Sequence, residues 1–133
     1  MKIFVAYGFN DRDKWIKDLV FPIIEAFRDE VINGANLKGE GTIDDAIKGK
    51  IEESDALIGF TTRREKVDHR DEWSTHRWVT DEIAHANATR KPIAIVIETG
   101  VKHEGMIAGF QYIPTVSWTP NNKSKLFKES CND

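Results

Sequence analysis

Three segments of the chain are apolar almost without interruption, and each is bounded by glycine, polar or charged residues. They are residues 2–7 (KIFVAY), 56–61 (ALIGFT) and 92–97 (PIAIVI). Continuous apolar runs rich in β-branched and aromatic residues are typical of strands that helices cover on both faces. The pattern therefore predicts three central strands of a parallel sheet. Shorter runs at residues 31–33 and 112–118 predict two further strands.

Between the predicted strands, apolar residues recur at the spacing of helices. Helical patterns cover residues 11–29, 44–54 and 73–89. Pro22 should kink or divide the first of these helices, because proline lacks an amide proton and clashes with the preceding turn. The alternation of strands and helices predicts an α/β protein with a three-layer, flavodoxin-like fold, in which a five-stranded parallel sheet carries helices on both faces.

In such a fold the loops that leave the carboxyl ends of the strands share one edge of the sheet, where ligands bind. Here these loops are residues 8–11, 34–41, 62–72 and 98–105. The second loop contains three glycines, but no Gly-Lys-Ser/Thr follows it, so it is not a phosphate loop. The third loop is almost wholly charged, which predicts an exposed loop or a short solvated helix.

One acid in the third predicted helix is the candidate reaction centre. Glu82 follows Trp78 by four residues, so a helix places the two side by side at the border of its apolar stripe. The plainer interpretation is a solvated glutamate next to a packed tryptophan. Because helix N-termini lie at the ligand-binding edge, one pocket could be bounded by residues 7–10, residues 34–41, Trp78 and Glu82.

Length and charge restrict the classes of protein that fit. The 133 residues suffice for one domain, which we expect to span residues 1–120, with residues 121–133 as a C-terminal tail or a truncated last helix. A net charge of −3 offers no basic surface for a nucleic-acid partner, and no apolar run is long enough to cross a membrane. The lone Cys131 cannot form an intramolecular disulfide, which agrees with a cytoplasmic protein. The four histidines lack metal-ligand spacing, so no metal site is predicted.

Taken together, three segments resemble the Toll/interleukin-1 receptor (TIR) domain family across residues 2–118. They are KIFVAYGFND, then TIDDAIKGKIEESDALIGFTT after a glycine-containing loop, then WVTDEIAHANATRKPIAIVI. The order and spacing match the family: a first strand, a flexible loop, a helix that ends in a Ser-Asp pair, and a W-x-x-x-E helix before the fourth strand. Here the W-x-x-x-E residues are Trp78 and Glu82.

The resemblance implies a prokaryotic-type enzyme that cleaves NAD+ as its substrate and needs no cofactor. The products would be nicotinamide plus ADP-ribose or a cyclic ADP-ribose-type product. The resemblance further implies a role in immune or anti-phage signalling, activation by homotypic self-association, and a fused or separate sensor domain.

The resemblance also implies roles for particular residues. Glu82 would be the catalytic carboxylate that holds the ribose attached to nicotinamide. The substrate pocket would be formed by Trp78 with the residues after the first strand and those of a mobile loop, namely Tyr7, Gly8, Phe9, Asn10, Leu37, Lys38 and Gly41. Gly8 and Phe9 depart from the family, in which many members have polar or basic residues there. Arg63 or Arg64 could supply the missing positive charge.

One acid is chemically sufficient for this reaction. Glycosidases that act on neutral substrates use two carboxyl groups, one of which protonates the leaving group. Nicotinamide is already cationic in NAD+ and departs as a neutral molecule, so it needs no acid. What remains is stabilisation of an oxocarbenium-like ribose, which a fixed carboxylate provides.

Two other functions fit the same residues. A TIR scaffold or adaptor would signal by homotypic association, with an inert Glu82. An enzyme resembling nucleoside deoxyribosyltransferases would use Glu82 as a nucleophile on a nucleoside, since its helix reads E-I-x-x-A before K-P and a strand. The glycine-containing loop and the Ser54-Asp55 pair favour the TIR family.

Overall fold

The computed structural model describes residues 1–34, 44–67 and 72–102, together with the backbone of residues 115–118. The strands in chain order are β1 Lys2–Ala6, β2 Glu30–Ile32, β3 Ala56–Thr61, β4 Glu65–Lys66, β5 Trp73–Ser74, β6 Ile93–Glu98 and β7 Thr115–Trp118. The helices are α1 Phe21–Ala26, α2 Asp45–Glu53 and α3 Arg77–Ala88. A 3₁₀ turn at Asp11–Asp13 and a π-helical segment at Ile16–Val20 precede α1.

Five strands form one parallel sheet in the order β2-β1-β3-β6-β7. Because side chains alternate across each strand, β1 contributes Phe4 and Ala6 to one core and Val5 to the other. Helices α2 and α3 cover the first face, and the π-helical segment with α1 covers the second. The predicted three-layer, flavodoxin-like fold is confirmed.

The helical spacing of apolar residues from Trp15 to Phe27 predicts a buried face that includes Ile23, and the first helix departs from it. It is divided before Pro22, which lies in the first turn of α1, where the missing amide proton costs no hydrogen bond. The π-helical segment ahead of it uses more residues per turn than an α-helix, so the buried face continues through Ile24 and not through Ile23. Leu19, Ile23 and Phe27 consequently lie towards solvent, and Phe27 is 75% exposed.

The third helix begins later than the sequence pattern indicates. Residues 73–74 belong to β5, which pairs with β4 in a small antiparallel ribbon, so the charged segment before it is partly a strand. Helix α3 therefore starts at Arg77, with His76 as its N-cap residue. The predicted tail at residues 121–133 lies outside the described residues. Among the helices that the structure describes, none is long and apolar enough to cross a membrane.

Helix α3 sits close to the sheet because β3 has a glycine beneath it. A Cβ atom built on Gly59 would lie 2.6 Å from Ile83 Cδ1 and 2.9 Å from Ile83 Cγ1. The sequence suggested that another backbone approaches Gly59, whereas a side chain of α3 does so. Ile83 is fully buried, so it has little room to move aside.

We therefore expect Gly59→Ala to lower the free energy of unfolding by about 1–3 kcal/mol, because the added methyl group overpacks the core. Gly49→Ala is the matched control. Gly49 lies within α2, and its added Cβ would meet no atom within 4 Å. This control should raise the free energy of unfolding by about 0.5–1 kcal/mol, since alanine favours the helix. Denaturant unfolding of both variants checks the pair, and equal stabilities would contradict the packing argument.

Candidate active site

The carboxyl edge of the sheet brings together the residues that the sequence singled out. Strand β1 leads into Tyr7 and Gly8, and β2 leads into Gly34. The N-terminus of α3 lies at the same edge, and it carries Trp78 and then Glu82. Leu37, Lys38 and Gly41, predicted for a mobile loop, lie outside the described residues.

Glu82 is buried, with 1% of its surface exposed. Its neighbours on the inner face of α3 are Val79, Ile83 and Ala86, which are fully buried. The carboxylate points towards the end of β2, where a Cβ atom on Gly34 would lie 3.6 Å from Glu82 Oε2. The plainer interpretation of Glu82 as a solvated helix residue is therefore wrong. Removing a carboxylate from water costs several kcal/mol, so this position is expensive for an acid with no function.

Trp78 joins α3 to the end of β1. Its indole Nε1 donates a hydrogen bond of 3.2 Å to the main-chain oxygen of Tyr7. The ring of Phe9 stacks on Trp78 with centroids 6.2 Å apart, and the guanidinium of Arg64 lies 5.5 Å from the Trp78 ring centre. The half-buried indole thus forms part of the wall between β1 and α3.

Tyr7 contributes to this wall chiefly through its backbone. Its ring belongs to the opposite core, where it makes an edge contact of 5.5 Å with Phe21. A second edge contact of 4.8 Å joins it to Phe9. Burial raises the pKa of the Tyr7 hydroxyl above its ordinary value.

The glycine at position 8 has a structural reason. A Cβ atom at Gly8 would lie 2.6 Å from Asp13 Oδ2 and still closer to His76 Nε2. The imidazole of His76 fills this space, and its centroid lies 4.6 Å from that of Trp78. Any larger residue at position 8 would displace the imidazole or the carboxylate.

His76 belongs to a buried polar cluster that sequence reasoning missed. Its Nε2 atom lies 3.1 Å from Asn10 Nδ2 and 3.4 Å from Asp13 Oδ2. Thr62 donates a hydrogen bond of 2.7 Å to the same carboxylate oxygen, and Asn10 Oδ1 accepts one of 2.8 Å from the amide of Asp13. The partners of His76 come from distant loops, so the local sequence carries no signal for them.

A second buried acid ties three loops of this edge together. Glu98, at the end of β6, is completely buried. Its carboxylate accepts hydrogen bonds from both terminal guanidinium nitrogens of Arg12, one of them at 2.7 Å. The amide of Arg63 donates a further hydrogen bond of 2.8 Å to Glu98. The hydrogen bond with Glu98 also raises the pKa of Arg12. The loops after β1 and β3 are thereby fixed to the end of β6.

The two arginines that could supply positive charge are placed differently. Arg63 Nε donates 2.7 Å to the oxygen of Thr99, lies 3.7 Å from Glu98 Oε2, and stacks on Trp73 at 5.6 Å. Its guanidinium is therefore already paired within the protein. Arg64 is exposed and lies against Trp78. In the part of the chain that the structure describes, no group of three acids, histidines or cysteines could hold a metal ion.

A surface cleft of about 300 Å³ adjoins the wall of aromatic residues. It is lined by Tyr7, Phe9, Asn10, Asp11, Lys14 and Lys17. A larger cleft of about 480 Å³ lies at the opposite edge, at the amino ends of β1 and β2, with charges of both signs around it. Because ligands of doubly wound sheets bind at the carboxyl ends of the strands, the smaller cleft is the candidate ligand site.

The fold and the site thus define a doubly wound α/β protein in which a helix at the ligand-binding edge carries a buried carboxylate, that of Glu82. No protein-family profile matches the chain, and no curated protein matches it. Among solved structures, the chain is similar to the CMP N-glycosidase BcmB of Clostridium botulinum. The TM-score is 0.65 and the identity is 17%, with both chains covered completely. At this identity the similarity establishes a shared fold.

The Glu98 cluster makes a prediction about stability. Arg12→Met should lower the free energy of unfolding by about 1–3 kcal/mol, because a buried carboxylate loses charged hydrogen bonds. We expect the lower part of this range, since the Arg12 side chain is 42% exposed and Arg63 still contacts Glu98. Thermal or denaturant unfolding measures the change.

Arg77→Met is the matched control for this variant. Arg77 faces Asp81 at 3.9 Å across one turn of α3, on the solvent side, so its loss should change stability by about 0.5 kcal/mol or less. If both variants lost the same stability, Glu98 would not anchor the loops.

Proposed function

We propose that this protein cleaves the N-glycosyl bond of a nucleoside or nucleotide and that Glu82 is its catalytic carboxylate. The observation that carries the proposal is the burial of Glu82 beside Trp78 at the carboxyl edge of the sheet. The C1′–N bond would break with its electron pair leaving on the base, and water would supply the hydroxyl group to C1′ and a proton.

The surroundings of Glu82 support a reactive role. Gly34 presents no side chain towards the carboxylate, and a Cβ atom there would lie 3.6 Å from Glu82 Oε2. Trp78 precedes Glu82 by one helical turn and is held by Tyr7. A fixed carboxylate with little water around it is suited to stabilise positive charge on a ribose ring, or to attack C1′ as a nucleophile.

The structural similarity supports the same chemistry. The similar enzyme is named for N-glycosidase activity on CMP, and it matches this chain over the full length of both. A neutral base such as cytosine leaves less readily than nicotinamide, because it must gain a proton as the bond breaks. A substrate of this kind favours a nucleophilic Glu82, as in the nucleoside deoxyribosyltransferase-like alternative.

NAD+ is the second candidate substrate, and the sequence favours it. The W-x-x-x-E frame and the order of segments resemble NAD+-cleaving TIR domains. With a cationic leaving group, the buried Glu82 would need no acid partner. A non-catalytic TIR scaffold is less consistent with Glu82, because an inert acid gains nothing from losing its water.

Glu82→Gln should reduce base release by at least about 100-fold, since the neutral amide neither stabilises the cationic ribose nor attacks it. Wild type and variant are incubated separately with CMP, cytidine and NAD+, and the bases are separated by chromatography. Cleavage of CMP or cytidine identifies a nucleotide or nucleoside N-glycosidase, and cleavage of NAD+ alone identifies the TIR-type reaction.

Asp81→Asn is the matched control, with the same change of charge on the outer side of α3. It should keep the wild-type rate and unfolding transition, and Glu82→Gln should unfold no earlier than the wild type, because the amide is cheaper to bury than the carboxylate. Undiminished turnover by Glu82→Gln would end the catalytic assignment. A wild-type protein that cleaves none of the three substrates would favour the scaffold.

The two substrate classes also differ in their expected dependence on protein concentration. If the TIR-type interpretation holds, self-association activates the enzyme, so NAD+ turnover per molecule should climb as protein is concentrated or crowded. Turnover per molecule is measured across a dilution series, with the oligomeric state followed by light scattering. A flat profile would contradict activation by assembly.

A further inference from the structure

We infer that the cleft beside β1 is a phosphate subsite in which Lys14 and Lys17 bind the 5′-phosphate of a ribose-containing substrate. The inference rests on the proposed function and deepens it, because it makes a phosphorylated substrate preferred over a free nucleoside. Nucleoside monophosphates and NAD+ share this ribose 5′-phosphate chemistry.

The two lysines share one wall of the cleft. Lys14 follows the 3₁₀ turn as its C-cap residue, and Lys17 lies in the π-helical segment three residues later. Residues three apart on a helical segment face the same side, which explains why both line the cleft. Its volume of about 300 Å³ is at the small end of ligand pockets, a size that suits part of a nucleotide.

The charges of both lysines are available to a ligand. Neither ammonium group forms an ion pair or a hydrogen bond with any described residue. By contrast, Arg12 and Arg63 at the same edge are held by Glu98. Asp11 is the one acid among the described residues that line the cleft, so within them two positive charges face one negative charge, which attracts phosphate.

Exposed lysines are ordinary on protein surfaces, so their position relative to Glu82 carries the inference. The opposite wall of the cleft includes Tyr7 and Phe9. Phe9 stacks on Trp78, and Trp78 lies one helical turn before Glu82. Glu82 itself does not line the cleft, so a substrate that contacts both would extend from the lysines past Phe9 and Trp78.

Arg64 is the competing cation. Its guanidinium lies on Trp78 and is exposed, so it could meet a phosphate from the other side of the indole. A planar guanidinium suits phosphate well. Arg64→Gln is therefore the variant that separates the two possible positions of the phosphate.

The test measures binding of ribose 5-phosphate and of ribose to the full chain by calorimetry at low salt, so that it requires no turnover. The wild-type protein should prefer ribose 5-phosphate. The double variant Lys14→Gln/Lys17→Gln should weaken its binding by about tenfold or more, as expected for the loss of charged hydrogen bonds. Added salt should weaken the wild-type binding towards that of the variant.

The double variant Lys50→Gln/Lys91→Gln is the control, because it removes the same charge at the amino ends of β3 and β6. It should bind ribose 5-phosphate as the wild type does. Equal binding of the two sugars by the wild type would overturn the inference. Unchanged affinity in the Lys14/Lys17 variant, or a loss confined to Arg64→Gln, would overturn it as well.

A second measurement separates this inference from the proposed function. The kcat/KM for CMP is compared with that for cytidine, and the kcat/KM for NAD+ with that for nicotinamide riboside. The Lys14/Lys17 variant should lose the preference for the phosphorylated member of a pair and keep its rate on the other. Binding of ribose 5-phosphate through the lysines without any cleavage would refute the proposed function and leave the phosphate subsite standing. Cleavage with no preference for the phosphorylated substrate would support the proposed function and refute the phosphate subsite.

Discussion

The close approach of α3 to the carboxyl edge of the sheet is the constraint on which the site depends. Three positions on neighbouring strands or just beyond them have no side chain where α3 needs room. Gly59 accommodates Ile83, Gly8 accommodates His76, and Gly34 faces Glu82. The first two contacts would be too short with any Cβ atom, whereas a Cβ at Gly34 would only touch the carboxylate. The helix therefore lies deep enough to bury Glu82 against the end of β2.

Two glutamates at this edge, Glu82 and Glu98, are buried in different surroundings. Glu98 is surrounded by the guanidinium of Arg12, the amide of Arg63 and the guanidinium of Arg63. Its charge is thereby matched inside the protein, and it fixes the loops that frame the edge. Glu82 is likewise buried, on the inner face of α3, and faces the end of β2. In the proposed function its carboxylate interacts with a cationic ribose, and burial strengthens that interaction.

The buried cluster around His76 connects the loop after β1 to the start of α3. Asn10, Asp13 and Thr62 contact His76 or one another across loops that are far apart in the chain. The same loop carries Phe9, which stacks on Trp78, and Lys14 lies directly after the 3₁₀ turn. The positions of the aromatic wall and of the proposed phosphate subsite therefore both depend on this polar contact. Buried polar networks make the residues around them more rigid, so this cluster also limits movement of Phe9 and Trp78.

The sequence by itself determined the fold class and the order of strands and helices, and it singled out the Trp78–Glu82 pair as a candidate site. Periodic apolar residues report local structure and which face is buried, and these were sufficient for the doubly wound sheet. The tertiary structure decided the rest. A π-helical turn moved the buried face of the first helix from Ile23 to Ile24, and the pairing of β4 with β5 delayed the start of α3. Residues from distant parts of the chain come together to bury Glu82 and to surround His76. The same is true of the contacts between Arg63 and Glu98. No local pattern encodes those contacts, because each exists only once the sheet has assembled.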